Sequence, residues 1–355
     1  MASSATITPP AQGGDLPLAK LTLPDDQIFT LPDNRGTLSY IVFGDASASP
    51  HRTAFFNHGT PGSGLEAAGF DKLCKARRIR VIGVDRPGMG RSSFQPGTGG
   101  GGNNTSRRIA DWPADILALA DHLAIPSFAM IGISGGGPYT YACLAELPRS
   151  RLVGACIVAS AYPAHLGFEG MMLQNKIVFT VSSWSPWVVE KLFDFAIGRV
   201  ARDTAHPERL AKMLGDGFNV KADKEAWQTG GRAKTEAGVD PAEFRAFMVE
   251  DVRRAVMGGC RGGAWDIYAI TTDWGFKLED VADKVQALAG TDEDKKKLVV
   301  WHGAQDVNCP VGWALKVKEV IRDADWRISE ADAHFSVTVN HLADVVEVLD
   351  RMLAE

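Results

Sequence analysis

Four short stretches of the chain hold the residues that could do covalent chemistry. In Gly132-Ile133-Ser134-Gly135-Gly136 a serine is fenced by glycines. This is the G-x-S-x-G spacing of a strand-to-helix turn so tight that neighbouring Cβ atoms would clash, and its strain exposes the hydroxyl. A helix starting at once behind Ser134 would offer backbone N–H groups and a positive dipole end to an oxyanion. The bland alternative is a glycine-rich loop with an incidental serine, so its partners decide. In His302-Gly303-Ala304-Gln305-Asp306-Val307-Asn308-Cys309-Pro310, Asp306 is the acid best placed to orient an imidazole, and Glu330-Ala331-Asp332-Ala333-His334-Phe335 supplies His334 as base. The loop His58-Gly59-Thr60-Pro61-Gly62-Ser63-Gly64 has a backbone free to present N–H groups, which makes the Thr60 N–H a candidate first oxyanion donor and that of Gly135 the second. It lacks the Gly-Lys-Ser/Thr ending of a phosphate-binding loop.

These loops need strands behind them. "TAFFNHG", "RIRVIGVD", "FAMIGIS", "GACIVASAYP", "KLVVWHG" and "DWRISEAD" are apolar or β-branched along nearly their whole length. Runs of that kind mark a parallel sheet covered by helices on both faces. "QIFTLPDNRGTLSYIVFG" reads as two strands joined by a turn at Asp33-Asn34-Arg35-Gly36, an antiparallel start. The fold class is therefore α/β, with a mostly parallel eight-stranded sheet. Ligands in such sheets bind beyond the carboxyl ends of the strands, where all four stretches lie. The glycine-rich run Gly97 to Gly102 reads as a loop before the helix "IADWPADILALADHLAI".

One region breaks the alternation. Residues 164–296 read as helical without a convincing strand, rich in Met171, Met172, Phe179, Trp184, Trp187, Phe193, Phe195, Phe244, Phe247, Trp265 and Trp274. Helices inserted between two strands of a parallel sheet sit above its carboxyl edge or form a separate domain, so the segment reads as a cap. Many of its aromatics are expected in the cap's own core. Met171, Met172, Trp184, Trp187 and Trp265 are the candidates for an apolar roof over the substrate. The domain division expected is an N-terminal arm over 1–26, a core over 27–163 and 297–355, and the cap between.

Other groups compete for each role. His341 is the alternative base; Asp332, Glu330 and Asp85 are rival acids. Asp85 opens "DRPGMGRSS", whose glycines and Arg91 fit a locked turn better. His58 and His302 each precede a glycine at a strand end and fit support of loop geometry. His51, His122, His165 and His206 have no chemical context nearby. No H-E-x-x-H or comparable ligand spacing occurs, so no metal and no cofactor is called for.

Composition sets the remaining bounds. The 355 residues carry a formal net charge of -5, with 45% hydrophobic and 23% charged residues, as in an ordinary globular protein with one large core or a core plus an appended domain. There is no long Lys/Arg run, and the short basic patch Lys72 to Arg80 reads as a solvated helix end, so a nucleic-acid partner is not expected. Cys74, Cys143, Cys156, Cys260 and Cys309 are scattered without C-x-x-C spacing and fit free thiols in a reducing compartment. The first residues lack a basic and then apolar leader, and no run is long enough for a membrane span, so a cytoplasmic location is expected and the acceptor patterns at Asn103 and Asn104 are expected to be unused.

"NHGTPGSG", "VDRPGMGRSS", "ADWPADILALADHLAI", "IGISGGGPYTYACLAELP", and "WHGAQDVNCPV" followed by "DAHFSV" resemble the successive landmarks of the α/β-hydrolase superfamily, and "GGCRGGAWDIYAITTDWGFKLEDV" resembles the cap of many of its members. The resemblance covers the chain from about Gln27 onward. It implies Ser134 as nucleophile, Asp306 as acid, His334 as base, and Thr60 and Gly135 as oxyanion donors. Serine at the nucleophile position sets the chain apart from epoxide hydrolases and haloalkane dehalogenases, which carry aspartate there. Gly135 stands where prolyl iminopeptidases usually have tryptophan, and Asp332-Ala333 stands where a glycine typically precedes the histidine. The expectation is a cofactor-independent serine hydrolase of a small to medium hydrophobic ester, lactone or thioester, monomeric or homodimeric. The alternatives are C–C bond cleavage or a lyase or cyclase step on the same triad, a peptidase, and a ligand receptor without turnover.

Overall fold

The computed structural model describes residues 23–95, 107–289 and 297–354. Most of the expected N-terminal arm, the run Gly97 to Gly102, and Asn103 and Asn104 lie outside them. Eight strands form one sheet: β1 (Gln27–Thr30), β2 (Thr37–Gly44), β3 (Thr53–Asn57), β4 (Arg80–Val84), β5 (Phe128–Ile133), β6 (Leu152–Val158), β7 (Leu298–Gly303) and β8 (Asp325–Ser329). Their spatial order is β1-β2-β4-β3-β5-β6-β7-β8. The pairs β1/β2 and β2/β4 are antiparallel, and all others are parallel.

Every residue of β3, β5 and β7 is buried. Their unbroken apolar runs follow from helices on both faces, which leave no wet side for alternation to mark. On one face the helices Trp112–His122, Gly137–Glu146 and Val311–Val320 close a core around Trp112, Phe128, Tyr141, Leu298 and Trp313. On the other, Asp71–Ala76 and Leu342–Leu353 cover Phe56, Ile131, Cys156 and Trp301.

Two features of the topology position the chemistry. β3 lies between β4 and β5, so the chain leaves β3 to one side and returns to the other, with Asn57 level with Gly132. This reversal is the switch point beyond whose carboxyl ends ligands bind in open α/β sheets. The second feature is the long excursion between the neighbouring strands β6 and β7. Among the described residues it is helical with no strand, running through Leu173–Ser182, Pro186–Phe193, Pro207–Gly217, Lys221–Thr229, Pro241–Val256 and Arg261–Thr271. The last helix of the segment expected as a cap, Leu278–Ala289, differs from the rest. It packs beside Gly137–Glu146 with Val281 and Val285 in the main core, as the crossover helix of the β6/β7 pair.

Candidate active site

Ser134 follows β5 directly and adopts φ +50°, in the left-handed region that costs any residue with a Cβ. The turn is bent this sharply because the backbones behind it touch: a Cβ on Gly136 would lie 2.0 Å from the Asn57 carbonyl oxygen. Asn57 is itself fixed, donating to Thr140 Oγ1 at 2.9 Å and accepting from the Trp112 indole at 3.0 Å. The strain is thus held in place by buried hydrogen bonds.

The structure brings Ser134, His334 and Asp306 together from three strand ends. Ser134 Oγ lies 2.9 Å from His334 Nε2, and His334 Nδ1 lies 2.7 Å from Asp306 Oδ2. The other carboxylate oxygen of Asp306 accepts the backbone N–H groups of Asn308 and Cys309, each at 2.8 Å. Burial opposes a charge on His334, but the Asp306 carboxylate and its hydrogen bond outweigh it and hold the imidazole pKa above its ordinary value. The thiol of Cys309, buried near Ser134, is pushed well up by burial and by the charge of Asp306.

His334 was expected in a loop and instead opens a short helix, His334–Asn340. The reason lies in the inserted segment. Asp223 Oδ1 accepts from the backbone N–H groups of Phe335 at 3.0 Å and Ser336 at 2.8 Å, capping first-turn donors that would otherwise be unsatisfied. The Ser336 hydroxyl also donates to Asp223 at 2.9 Å and accepts from the Ala333 N–H at 2.7 Å.

The competing groups are otherwise engaged. His341 contacts Asp344 at 2.6 Å and Asp332 at 3.3 Å, and Asp332 accepts from Asn340 at 2.7 Å and Ser329 at 2.6 Å. The Glu330 carbonyl accepts from the Gln305 amide at 2.9 Å, next to Asp306. Asp85 accepts from the N–H groups of Gly64 at 2.7 Å and Arg91 at 2.9 Å and pairs with Arg254 at 2.6 Å. His302 donates from Nε2 to the Cys309 carbonyl at 2.7 Å, bracing the Asp306 loop. His58 accepts the Arg86 N–H at Nε2, 3.1 Å, so its proton sits on Nδ1 and goes to the Gly59 carbonyl at 2.7 Å. Burial and the Arg86 charge push its pKa well down, which keeps it neutral.

Thr60 and Gly135 are neighbours: a Cβ on Gly135 would fall 2.2 Å from Thr60 Oγ1 and 3.4 Å from Ile270 Cδ1. No hydrogen bond among the described residues occupies the Thr60 N–H. The Gly135 N–H belongs to the first turn after Ser134, where helices leave donors unpaired.

The five residues expected to roof the site lie in different surroundings. Met171 is buried in the main core, and the Met172 N–H donates to the Val307 carbonyl at 2.8 Å, beside Asp306. Trp265 packs edge-on against Phe94 and Tyr268. Trp184 and Trp187, at 73% and 64% exposure, lie on the outside and are not brought to Ser134. The helices on either side turn Ser182, Pro186 and Val189 inward against Arg261–Thr271, which leaves Trp184, in the turn between them, and Trp187 exposed.

Several groups beside the site carried no signal in the sequence. Glu66 accepts the Gly59 N–H at 2.6 Å, and its proton affinity is raised to about 7, chiefly by burial. Asp251 accepts both the N–H (2.9 Å) and hydroxyl (2.6 Å) of Ser63. Arg86, wholly buried, pairs with Asp266, and Tyr139 donates to the same carboxylate at 2.6 Å. The described residues contain no cluster of His, Cys, Asp and Glu able to hold a metal ion, and no helix long and apolar enough to cross a membrane.

A family model described as alpha/beta hydrolase fold matches residues 55–191, from within β3 through the serine turn and β6 into the first inserted helices. The chain has the α/β-hydrolase fold. Solved structures of this fold align over nearly the whole chain. A bromoperoxidase from Bacillus anthracis has 15% identity and a TM-score of 0.58, covering 93% of this chain and 100% of its own. A putative aryl esterase from Burkholderia cenocepacia aligns at 15% identity and TM-score 0.56, with the same two coverages, 93% and 100%. The enol-lactonase from Burkholderia xenovorans LB400 aligns at 17% identity and TM-score 0.54, again covering 93% and 100%. No curated protein matches the sequence. Within the α/β-hydrolase core the serine turn, the Asp306 loop and the His334 helix all sit at carboxyl ends of strands, while from the inserted helices Asp223 reaches the His334 helix, Ile270 the serine turn, Asp251 Ser63, and Asp266 Arg86.

Proposed function

We propose that the protein is a serine hydrolase acting on a small to medium hydrophobic carboxylic ester, lactone or thioester, without a cofactor. The observation that carries this reading is the unbroken line from Ser134 Oγ to His334 Nε2 at 2.9 Å and from His334 Nδ1 to Asp306 Oδ2 at 2.7 Å. Esterases and an enol-lactonase among the similar solved structures support it. His334 takes the Ser134 proton as the hydroxyl oxygen bonds to the substrate carbonyl carbon. Asp306 stabilises the imidazolium that results. The carbonyl π pair moves to oxygen, where the N–H groups of Thr60 and Gly135 receive the charge. Collapse expels the leaving group, protonated by His334, and leaves an acyl-serine. Water, deprotonated by His334, repeats the addition and frees the acid.

The inserted helices act as the cap in this reading. Ile270 stands against Gly135, so an acyl chain leaving Ser134 meets an apolar wall. The test is turnover of p-nitrophenyl esters of graded acyl length. An optimum at one length, lost by several orders of magnitude in Ser134→Ala, is expected. Undiminished turnover in that variant would remove Ser134 from the mechanism.

A further inference from the structure

The oxyanion side of this site depends on a buried ion pair whose two halves come from different parts of the molecule. Arg86 follows β4, and Asp266 belongs to the inserted helix Arg261–Thr271, 180 residues away. The two meet in a fork, Nε to Oδ1 at 3.0 Å and Nη2 to Oδ2 at 2.7 Å, with both side chains out of solvent. Burial works against the charge on Arg86, but the charge and hydrogen bonds of Asp266 outweigh it and hold its pKa above the ordinary value.

This pair grips the loop that carries Thr60. The Arg86 guanidinium donates to the carbonyls of His58 and Gly59, the latter at 3.1 Å, and to Thr60 Oγ1 at 2.8 Å. The Thr60 hydroxyl in turn donates to Asp266. His58 Nδ1 adds a second bond to the Gly59 carbonyl at 2.7 Å. The Gly59 carbonyl and the Thr60 N–H share one peptide unit. That unit is an ordinary trans peptide, so its N–H points opposite to its carbonyl. With the carbonyl held inward by Arg86 and His58, the N–H is turned away from them, on a residue whose side chain stands next to Gly135.

We propose that the Arg86–Asp266 pair is the positioning device for the Thr60 oxyanion donor, so that the oxyanion site is complete only when the inserted helix is docked. The inference rests on the serine-hydrolase reading above. Neither side chain touches the reacting atoms. Their effect falls on the tetrahedral state, where charge reaches the carbonyl oxygen, rather than on substrate binding.

The experiment compares the whole chain with Thr60→Val, Thr60→Ser and Asp266→Asn, using p-nitrophenyl butyrate and an aliphatic trifluoromethyl ketone. The ketone adds the Ser134 oxygen to its carbonyl carbon, passes the serine proton to His334 and places its oxyanion against the donors, so it reads that site directly. Thr60→Val keeps the buried ion pair while removing the hydroxyl that both partners hold, and Thr60→Ser keeps the hydroxyl. Folding of each variant is checked by circular dichroism. For Thr60→Val the expected result is a fall in kcat of about tenfold or more with KM little changed, together with a parallel rise in the ketone inhibition constant. Thr60→Ser, which restores the hydroxyl, should recover most of the kcat and ketone affinity lost in Thr60→Val, and Asp266→Asn, where it folds, should follow Thr60→Val. A folded Thr60→Val with wild-type kcat and ketone affinity would overturn the inference, as would a loss of kcat with ketone affinity intact. A wild-type protein that the ketone does not inhibit and a fluorophosphonate does not label would overturn the hydrolase reading itself. Labelling that survives while the Thr60 variants change nothing overturns only the positioning role.

Discussion

The helix Arg261–Thr271 and the hairpin formed by Leu173–Ser182 and Pro186–Phe193 belong to the same inserted segment and pack on each other, yet they meet the rest of the molecule differently. The helix is tied to the core by chemistry. Asp266 reaches Arg86, Thr60 and Tyr139, and Gly262 comes so close to the turn after β4 that a Cβ there would lie 2.1 Å from the Gly88 carbonyl oxygen. The hairpin has no buried ion pair of that kind among the described residues, and it shows solvent Leu173, Ile177, Trp184 and Trp187. The difference teaches that the segment is an inner layer built into the loops that carry Thr60 and Arg86 plus an outer layer carried on it. Aromatic content alone does not distinguish the two; the position of the carboxylates does.

The largest expected effect breaks the inner side of this comparison at its centre. Asp306→Asn should lower kcat by about 10⁴-fold, because the amide no longer enforces the tautomer that leaves Nε2 free to accept the Ser134 proton. Steady-state kinetics on the best p-nitrophenyl ester checks it. Next comes Asp266→Ala, which leaves the Arg86 charge buried and unpaired and should cost about 3–5 kcal/mol of stability. Urea unfolding would show this as a lower midpoint, and a change of less than about 0.5 kcal/mol would mean the inner helix is not anchored by the pair.

Asp223→Ala sharpens the comparison at the His334 helix. Removing the cap should cost about 1 kcal/mol and lower kcat about tenfold by loosening the imidazole. Trp184→Ser with Trp187→Ser tests the outer layer, and the expected shift in stability is within about 0.5 kcal/mol per substitution. A loss matching that of Asp266→Ala would erase the distinction between the layers.

The smallest effect concerns pH. Glu66 keeps its proton in the folded protein up to about 7, against an ordinary value of 4.5. The folded state therefore binds more protons than the unfolded chain between those values, and stability declines as pH rises through that window. Glu66→Gln should flatten the decline in urea midpoints measured from pH 4.5 to 7. In the same range kcat/KM should fall on acidification through a pKa above 6.5, as His334 becomes protonated.

Much of the core could be read from the sequence because its signals are local. An apolar run ending in Gly-x-Ser-x-Gly describes a strand, a turn and a helix within a dozen residues, and the strands before Thr60 and Asp306 are equally plain. The antiparallel start over Gln27–Gly44 also follows from a turn and two short runs. The ties of the inserted segment are different in kind. Asp223 and Asp251 sit on helices beside charged residues, where an aspartate reads as solvated, and Asp266 is a lone acid between Trp265 and Ile267 with no partner near it in the sequence. Their partners Ser336, Ser63 and Arg86 lie more than 100 residues away, and only docking reveals them. Trp184 and Trp187 mislead for the opposite reason. Large aromatics in an inserted segment read together as an apolar roof, but Ser182 and Val189 are the buried residues here, while Trp184, in the turn between the two helices, and Trp187 are left exposed.

The central claim is that Ser134 attacks as a nucleophile activated by His334. Its most direct test is labelling of the whole protein with a fluorophosphonate, followed by mass spectrometry of the modified peptide. The account predicts a single phosphonylated residue, Ser134, formed in wild type and lost or greatly slowed in His334→Ala. Turnover of an ester by a protein that remains unlabelled at Ser134, or labelling at equal rate without His334, would contradict it.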